Sequence, residues 1–308
     1  MSTSEQGVIA VAGGTGGLGR HIVEELVEDC KYKVVVLSRT PNPSLTALGV
    51  DVRPIDYTSH TSIVKALENV HTLISCIAAG GDALADVQIK LLRAAEAAGV
   101  KRFAPSEWAS DTQINTNIEG YFPKKAVIEE LQKSKLEWTL FMNGVFMNYL
   151  ASPRGTGHLQ PLKFVIDTEN RTANIPGTGN EPVVMTTVQD VAKFVVGSLS
   201  LPSWPEKSGI IGDLTTYNHV VKAAERITGE KFKVEYRSLE QLNKAIHPDA
   251  QSIMENFYTQ VCIAIAEGAK GGFVFEGTLN KLLPHIKTVS VDEFLAHWWT
   301  PSGIGKSK

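Results

Sequence analysis

The apolar residues of the first third of the chain gather into short unbroken runs rather than alternating with polar ones. Val8-Ile9-Ala10-Val11-Ala12, Lys33-Val34-Val35-Val36-Leu37 and Thr72-Leu73-Ile74-Ser75-Cys76-Ile77 each read as a strand covered on both faces, the pattern of a buried parallel sheet. Val50 to Ile55 supplies a third strand between them. The intervening stretches have helical period: Leu18 to Val27, a short helix at Ser44 to Leu48, a helix from Thr61, and a long Ala- and Leu-rich segment from Asp82 to Ala98 that Gly99 ends as a C-cap. Val100 to Trp108 and Leu136 to Met142 continue as the fifth and sixth strands, with a helix around Lys125 between them. Beyond Ala151 the pattern loosens. Thr187 to Leu199, Tyr217 to Thr228 and Ser252 to Glu267 read as amphipathic helices, Lys231 to Tyr236 as a strand, and Trp298-Trp299 as the packing anchor of a last helix.

Regular alternation of strand and helix predicts an α/β fold with a doubly wound parallel sheet of the Rossmann type. The expected division is a nucleotide-binding domain over residues 1–150 and a smaller α/β lobe over 151–308, mainly for substrate, some segments of which return to the sheet. The chemistry begins where the first run breaks into Gly13-Gly14-Thr15-Gly16-Gly17-Leu18-Gly19. A dinucleotide pyrophosphate has to meet bare backbone N–H groups at a helix N-terminus, and Gly13, Gly16 and Gly19 remove the side chains that stand in the way. Thr15, Gly17 and Leu18 complete the expected cradle, and the strand before it and the helix after it are the context the motif requires.

The second strand ends in Ser38-Arg39 with no carboxylate beside it. An acidic residue there accepts from both ribose hydroxyls of NAD, whereas arginine accommodates the additional phosphate of NADP, so NADP(H) is the expected cofactor. Asp56, after the third strand, is placed either to reach the adenine amino group or to cap the next helix. Ala78 and Ala79, leading into Gly80-Gly81, are small enough for a cofactor to pass close to the backbone at the carboxyl edge of the sheet.

Composition narrows the alternatives. Of 308 residues 43% are hydrophobic and 20% charged, and the net charge of -3 leaves no electrostatic footprint for nucleic acid or an anionic membrane. No apolar run approaches the ~20 residues of a membrane span. The polar start, Met1 to Gln6, lacks the features of a signal peptide. Three separated cysteines, Cys30, Cys76 and Cys262, suit a reducing compartment and a cytoplasmic location, and no metal-ligand spacing is visible.

Val100-Lys101-Arg102-Phe103-Ala104-Pro105-Ser106-Glu107-Trp108 resembles the V-K-R-F-x-P-S-E-F run of the isoflavone reductase family of atypical short-chain dehydrogenases, with Trp108 in place of the Phe. Lys125-Ala126-Val127, Asp190-Val191-Ala192 and Val291-Asp292-Glu293-Phe294-Leu295 are similar to further elements of that family, and Met142 to Tyr149 resembles the wider NmrA-like group. The resemblance implies an NADPH-dependent reductase acting on a conjugated or aryl-substituted small molecule, with Lys125 as general acid or base beside the ribose and nicotinamide. It also implies that backbone groups at Asn143, Gly144 and Val145 hold the carboxamide while Phe146 walls the ring. NmrA-like relatives include proteins that bind the nucleotide without turning it over, so a sensor is the rival reading, with an isomerase or cyclase as a third. Monomer and homodimer stay open.

Two details of the chemistry are read from the residues themselves. Tyr121 and Lys125 have the Tyr-x-x-x-Lys spacing of ordinary short-chain dehydrogenases, but Pro123 belongs in a first helical turn and pushes Phe122 out of the α region, which leaves Tyr121 outside the helix. Lys124 competes with Lys125, the two being about 100° apart around the axis, so that one of them faces the nucleotide. Ser106 is set either to bond the substrate or nicotinamide or to satisfy a backbone group.

Overall fold

A computed structural model of the chain describes residues 7–78, 81–115 and 117–300, with only the backbone of Met254. Strands β1 (Val8–Ala12), β2 (Lys33–Ser38), β3 (Asp51–Pro54), β4 (Thr72–Ser75), β5 (Arg102–Ala104) and β6 (Glu137–Trp138) form one sheet in the order β3-β2-β1-β4-β5-β6. Every pairing in it is parallel, with Ala10 lying between Val35 and Leu73. Helices α1 (Gly17–Asp29), α2 (Pro43–Thr46), α3 (His60–Ala66), α4 (Asp82–Ala98) and α5 (Phe122–Leu131) connect the strands. The sheet order reverses between β1 and β4, and the carboxyl ends at such a switch point are where open α/β sheets bind ligands.

The described residues divide into two compact units. The first comprises those of Met1–Trp108, Pro123–Phe141 and Ala192–Ser208; the second comprises Ala109–Phe122, Met142–Val191 and the remainder from Gly209. The units therefore interleave along the chain, and residue 150 falls inside the second. In the first unit the unbroken apolar strands bury Ala10, Val35, Leu37 and Leu73 with Ile63 and Leu67, Leu91 and Leu92 of α4, and Val127, Ile128 and Leu131 of α5. Arg102 is buried in this unit. It pairs with Glu137 at 2.6 Å and donates to the carbonyls of Leu199, Leu201 and Pro202, just past the end of the helix Val188–Ser198, where a positive charge offsets the helix dipole.

The sixth strand is shorter than its apolar pattern predicts. Thr139 breaks it by donating its hydroxyl to the Pro205 carbonyl at 2.6 Å, and Leu140–Met142 resumes as a separate strand that leaves the large sheet. The fifth is likewise confined to Arg102–Ala104.

The second unit holds two three-stranded sheets. Thr172–Pro176 lies between Ile166–Asp167 and Lys233–Arg237, and Pro182–Thr186 lies between Val145–Phe146 and Asp213–Thr216. Helices Tyr217–Thr228, Ile253–Ala266 and Val291–Trp299 accompany them, with Met147, Ile175, Met185, Tyr217, Ile265 and Phe294 in the core. The terminal tryptophans do anchor the last helix: Trp299 donates its indole N–H to the Leu150 carbonyl at 3.1 Å, and Trp298 packs on Phe294. Among the described residues no helix is long and apolar enough to cross a membrane.

Candidate active site

The glycine loop joins β1 to α1, and its glycines have two different reasons to be there. Gly13 has φ +81°, and a Cβ on it would stand 2.7 Å from the Cys76 carbonyl oxygen; one on Gly19 would stand 2.3 Å from the Gly13 carbonyl oxygen. Both are required by the close approach of α1 and β4 to the loop itself. A Cβ on Gly16 or Gly17 would meet nothing within 4 Å. Gly16 is the N-cap of α1 with no side-chain cap, and the first turn carries no acidic residue. This helix end thus has open space beside Gly16 and Gly17 and no side-chain cap or first-turn carboxylate, which is what a pyrophosphate fits. Thr15 is exposed at the loop's tip, while the Leu18 side chain turns into the core and leaves its backbone to the loop.

Arg39 is exposed at the carboxyl end of β2 on the rim of a cavity of about 430 Å³ lined also by Ser38, Thr40 and Pro43. The Ser38 hydroxyl is committed to the local turn, donating to the Thr40 carbonyl at 2.6 Å. Asp56 does not cap α3: Ser59 does, accepting from the Ser62 N–H, so the helix starts at His60. The Asp56 carboxylate instead accepts from the Thr58 hydroxyl and N–H, which hold its pKa below the usual carboxylate range, and it lines a second cavity of about 670 Å³ together with Arg39 and Lys65. Ala78 is exposed after β4; Ala79 and Gly80 lie outside the described residues.

At the end of β5 the backbone is held by groups the sequence reading passed over. Gln88, 1% exposed on α4, donates to the Ser75 hydroxyl at 2.9 Å and accepts from the Ser106 N–H at 3.2 Å, tying the ends of β4 and β5 together. Its signal was a lone amide on the apolar face of α4. Of the roles left open for Ser106, the structure shows its N–H used in this tie. Trp108 has φ +30°, donates its indole N–H to the Ser75 carbonyl at 2.8 Å, and stacks on Phe141 with ring centroids 5.3 Å apart.

The Lys124 ammonium donates to the carbonyl of Glu107. Burial lowers its pKa, the Glu107 carboxylate partly opposing the shift. Lys125 follows on the same helix and is half-buried. Phe122 keeps helical dihedrals, contrary to the expectation from the following proline, because a 3-10 turn over Glu119–Tyr121 feeds directly into α5. Tyr121 sits in that turn, outside the α-helix as expected, buried and edge-on to Phe257 at 5.7 Å.

Asn143 to Phe146 belong to the second unit. The N–H groups of Asn143 and Gly144 both donate to the Ala109 carbonyl, at 3.0 and 3.1 Å, so these two backbone donors expected for a carboxamide are already paired. Gly144, with φ +68°, is there because a Cβ would stand 2.1 Å from the Val184 carbonyl oxygen. Val145 and Phe146 form a short strand against Met185 and Thr186, and Phe146 meets Tyr149 edge-on at 6.1 Å. Burial raises the Tyr149 phenol pKa, with the Tyr258 phenol adding to the shift.

A parallel switch-point sheet whose first strand ends in an uncapped glycine loop defines a dinucleotide-binding α/β protein. A model of the NmrA-like family matches residues 5–295, and the chain belongs to that family. Oxidoreductase BOA1 of Botryotinia fuckeliana is 40% identical over 230 residues, covering 73% of this chain and 77% of that protein. The isoflavone reductase of Medicago sativa is 26% identical, covering 93% and 97%. Among solved structures, AtPrR2 with NADP+ and (+)-pinoresinol shares the fold with a TM-score of 0.79, at 24% identity over 95% of this chain and 99% of that one.

Proposed function

We propose that this chain is an NADPH-dependent reductase acting on a conjugated or aryl-substituted small molecule. The observation that carries the reading is the open, uncapped glycine loop between β1 and α1, with Lys124 and Lys125 on α5 in the same unit. NADPH, when bound, supplies the hydride. The uncapped N-terminus of α1 would hold its pyrophosphate and Arg39 the additional ribose phosphate. Lys125, by the resemblance, holds a proton and delivers it to the substrate atom that gains negative charge. Lys124, whose ammonium donates to the Glu107 carbonyl, is the competing candidate. The oxidoreductase and isoflavone reductase names of the relatives, and the NADP+ and pinoresinol of the structural neighbour, support the reaction class.

The test is Lys124→Ala beside Lys125→Ala, assayed with NADPH and a panel of enones, quinone methides and aryl ketones. Lys125→Ala is expected to lower kcat by roughly 10²–10⁴ with NADPH affinity kept within a few-fold, and Lys124→Ala to do much less. The reverse order gives the role to Lys124, and unchanged turnover in both removes a lysine acid from the mechanism. A wild-type protein that binds NADPH and oxidises it with no member of the panel sinks the reductase reading in favour of a sensor.

A further inference from the structure

We infer that Lys124 is a positioning residue: its ammonium, resting on the Glu107 carbonyl, pins the start of α5 to the end of β5 and so sets the direction in which Lys125 is presented. The inference rests on the reading of Lys125 as proton donor.

Lys124, Val127, Ile128 and Leu131 are spaced i, i+3, i+4 and i+7, so they form one stripe along α5. The three apolar members are buried in the core of the first unit. Lys124 therefore takes the first position of the inward face, where the pattern calls for an apolar residue, and its amine is satisfied there by the Glu107 carbonyl. The Glu107 carboxylate acts on the same amine and favours its charged form. Lys125 stands about 100° around the axis from Lys124, on the flank of the helix. The two neighbouring lysines thus divide the work: one is tied to the sheet and the other is left to the side on which that tie turns it.

The start of α5 depends on such a tie. Residues 109–122, between the end of the β5 loop and the body of the helix, are assigned to the second unit, so no short connection holds α5 to β5. The first turn carries no acidic residue, and a cation there is opposed by the helix dipole; the charge-assisted bond to Glu107 is what offsets it. The acceptor is itself fixed. Its carbonyl shares a peptide unit with Trp108, whose indole N–H is anchored on the Ser75 carbonyl at 2.8 Å.

The experiment compares wild type with Lys124→Met, which keeps an apolar stem in the stripe and removes the donor, and with Lys124→Arg, which keeps a donor. Met suits the buried face, and a cooperative thermal melt checks that both variants fold. Acylation of Lys125 with and without NADPH is read by mass spectrometry, with the exposed Lys231 and Lys244 as references. NADPH is expected to shield Lys125 in wild type and in Lys124→Arg, and to shield it much less in Lys124→Met. With a substrate from the panel, Lys124→Met is expected to lower kcat about fivefold with the NADPH KM within about twofold, Lys124→Arg to stay near wild type, and Lys124→Met in a Lys125→Ala background to cost nothing further. Unchanged shielding and kcat in Lys124→Met, equal losses in the Met and Arg variants, or the same loss in the Lys125→Ala background overturns the positioning role and leaves the reductase reading intact. Full turnover in Lys125→Ala, or a wild-type Lys125 that NADPH does not shield, overturns Lys125 as proton donor and this inference with it.

Discussion

Arg39 carries the preference for a phosphorylated ribose by itself in the sequence and stands exposed at the strand end in the structure. A guanidinium matches a phosphate with paired charge-assisted hydrogen bonds worth roughly 1.5–3 kcal/mol each, so Arg39→Gln is expected to cut the ratio of kcat/KM for NADPH over NADH by about 10- to 100-fold. A ratio that stays put removes Arg39 from cofactor selection. The lysine pair teaches a different lesson at the same scale. Helical period set Lys124 and Lys125 in different directions; that the Lys124 ammonium reaches the Glu107 carbonyl could not be read there, because that carbonyl is brought in from a different element. The resemblance set backbone groups from Asn143 onward to hold a carboxamide; the Ala109 carbonyl that accepts from the Asn143 and Gly144 N–H groups is more than thirty positions away in sequence.

Among the elements, the glycine loop makes the sharpest division between folding and binding. Gly19→Ala forces a methyl against the Gly13 backbone and is expected to cost about 1–3 kcal/mol in urea unfolding. Gly16 has φ −166°, an extended backbone that alanine adopts freely, with open space beside it. Gly16→Ala is therefore expected to unfold within about 0.5 kcal/mol of wild type and to lose NADPH affinity, measured by titration; equal affinity means the pyrophosphate lies elsewhere. The strands and helices of the first unit were legible because each depends on local periodicity. The break at Thr139, the cap at Ser59 rather than Asp56 and the helical Phe122 were not, since each turns on one hydrogen bond or on an entering turn that outweighs the local preference.

For the molecule as a whole, the parallel sheet was readable from its strands, while its strand order and the course of the two units along the chain come from the tertiary structure. Ala109–Phe122 and Met142–Val191 join the second unit although they flank a helix and strand of the first. The expected phosphate-binding groups all fall in the first unit, and ligand binding to the folded state alone stabilises it by mass action. NADPH at about a hundred times its dissociation constant is expected to add about 2.7 kcal/mol and raise the thermal midpoint by several degrees, with NADH at equal concentration doing less. No shift with NADPH means no site.

What the amino-acid sequence determined by itself is the succession of buried strands and helices and the position of the glycine loop between the first strand and the first helix. Those follow from side-chain periodicity and from the absence of side chains, both of which are written within a dozen neighbouring residues. Only the tertiary structure decided that the Lys124 ammonium reaches the Glu107 carbonyl, that Ser75 anchors Trp108, and that Asn143 and Gly144 spend their amides on Ala109. Each of those is a hydrogen bond between segments far apart in the chain, and its energy is gained only after the sheet has brought them together.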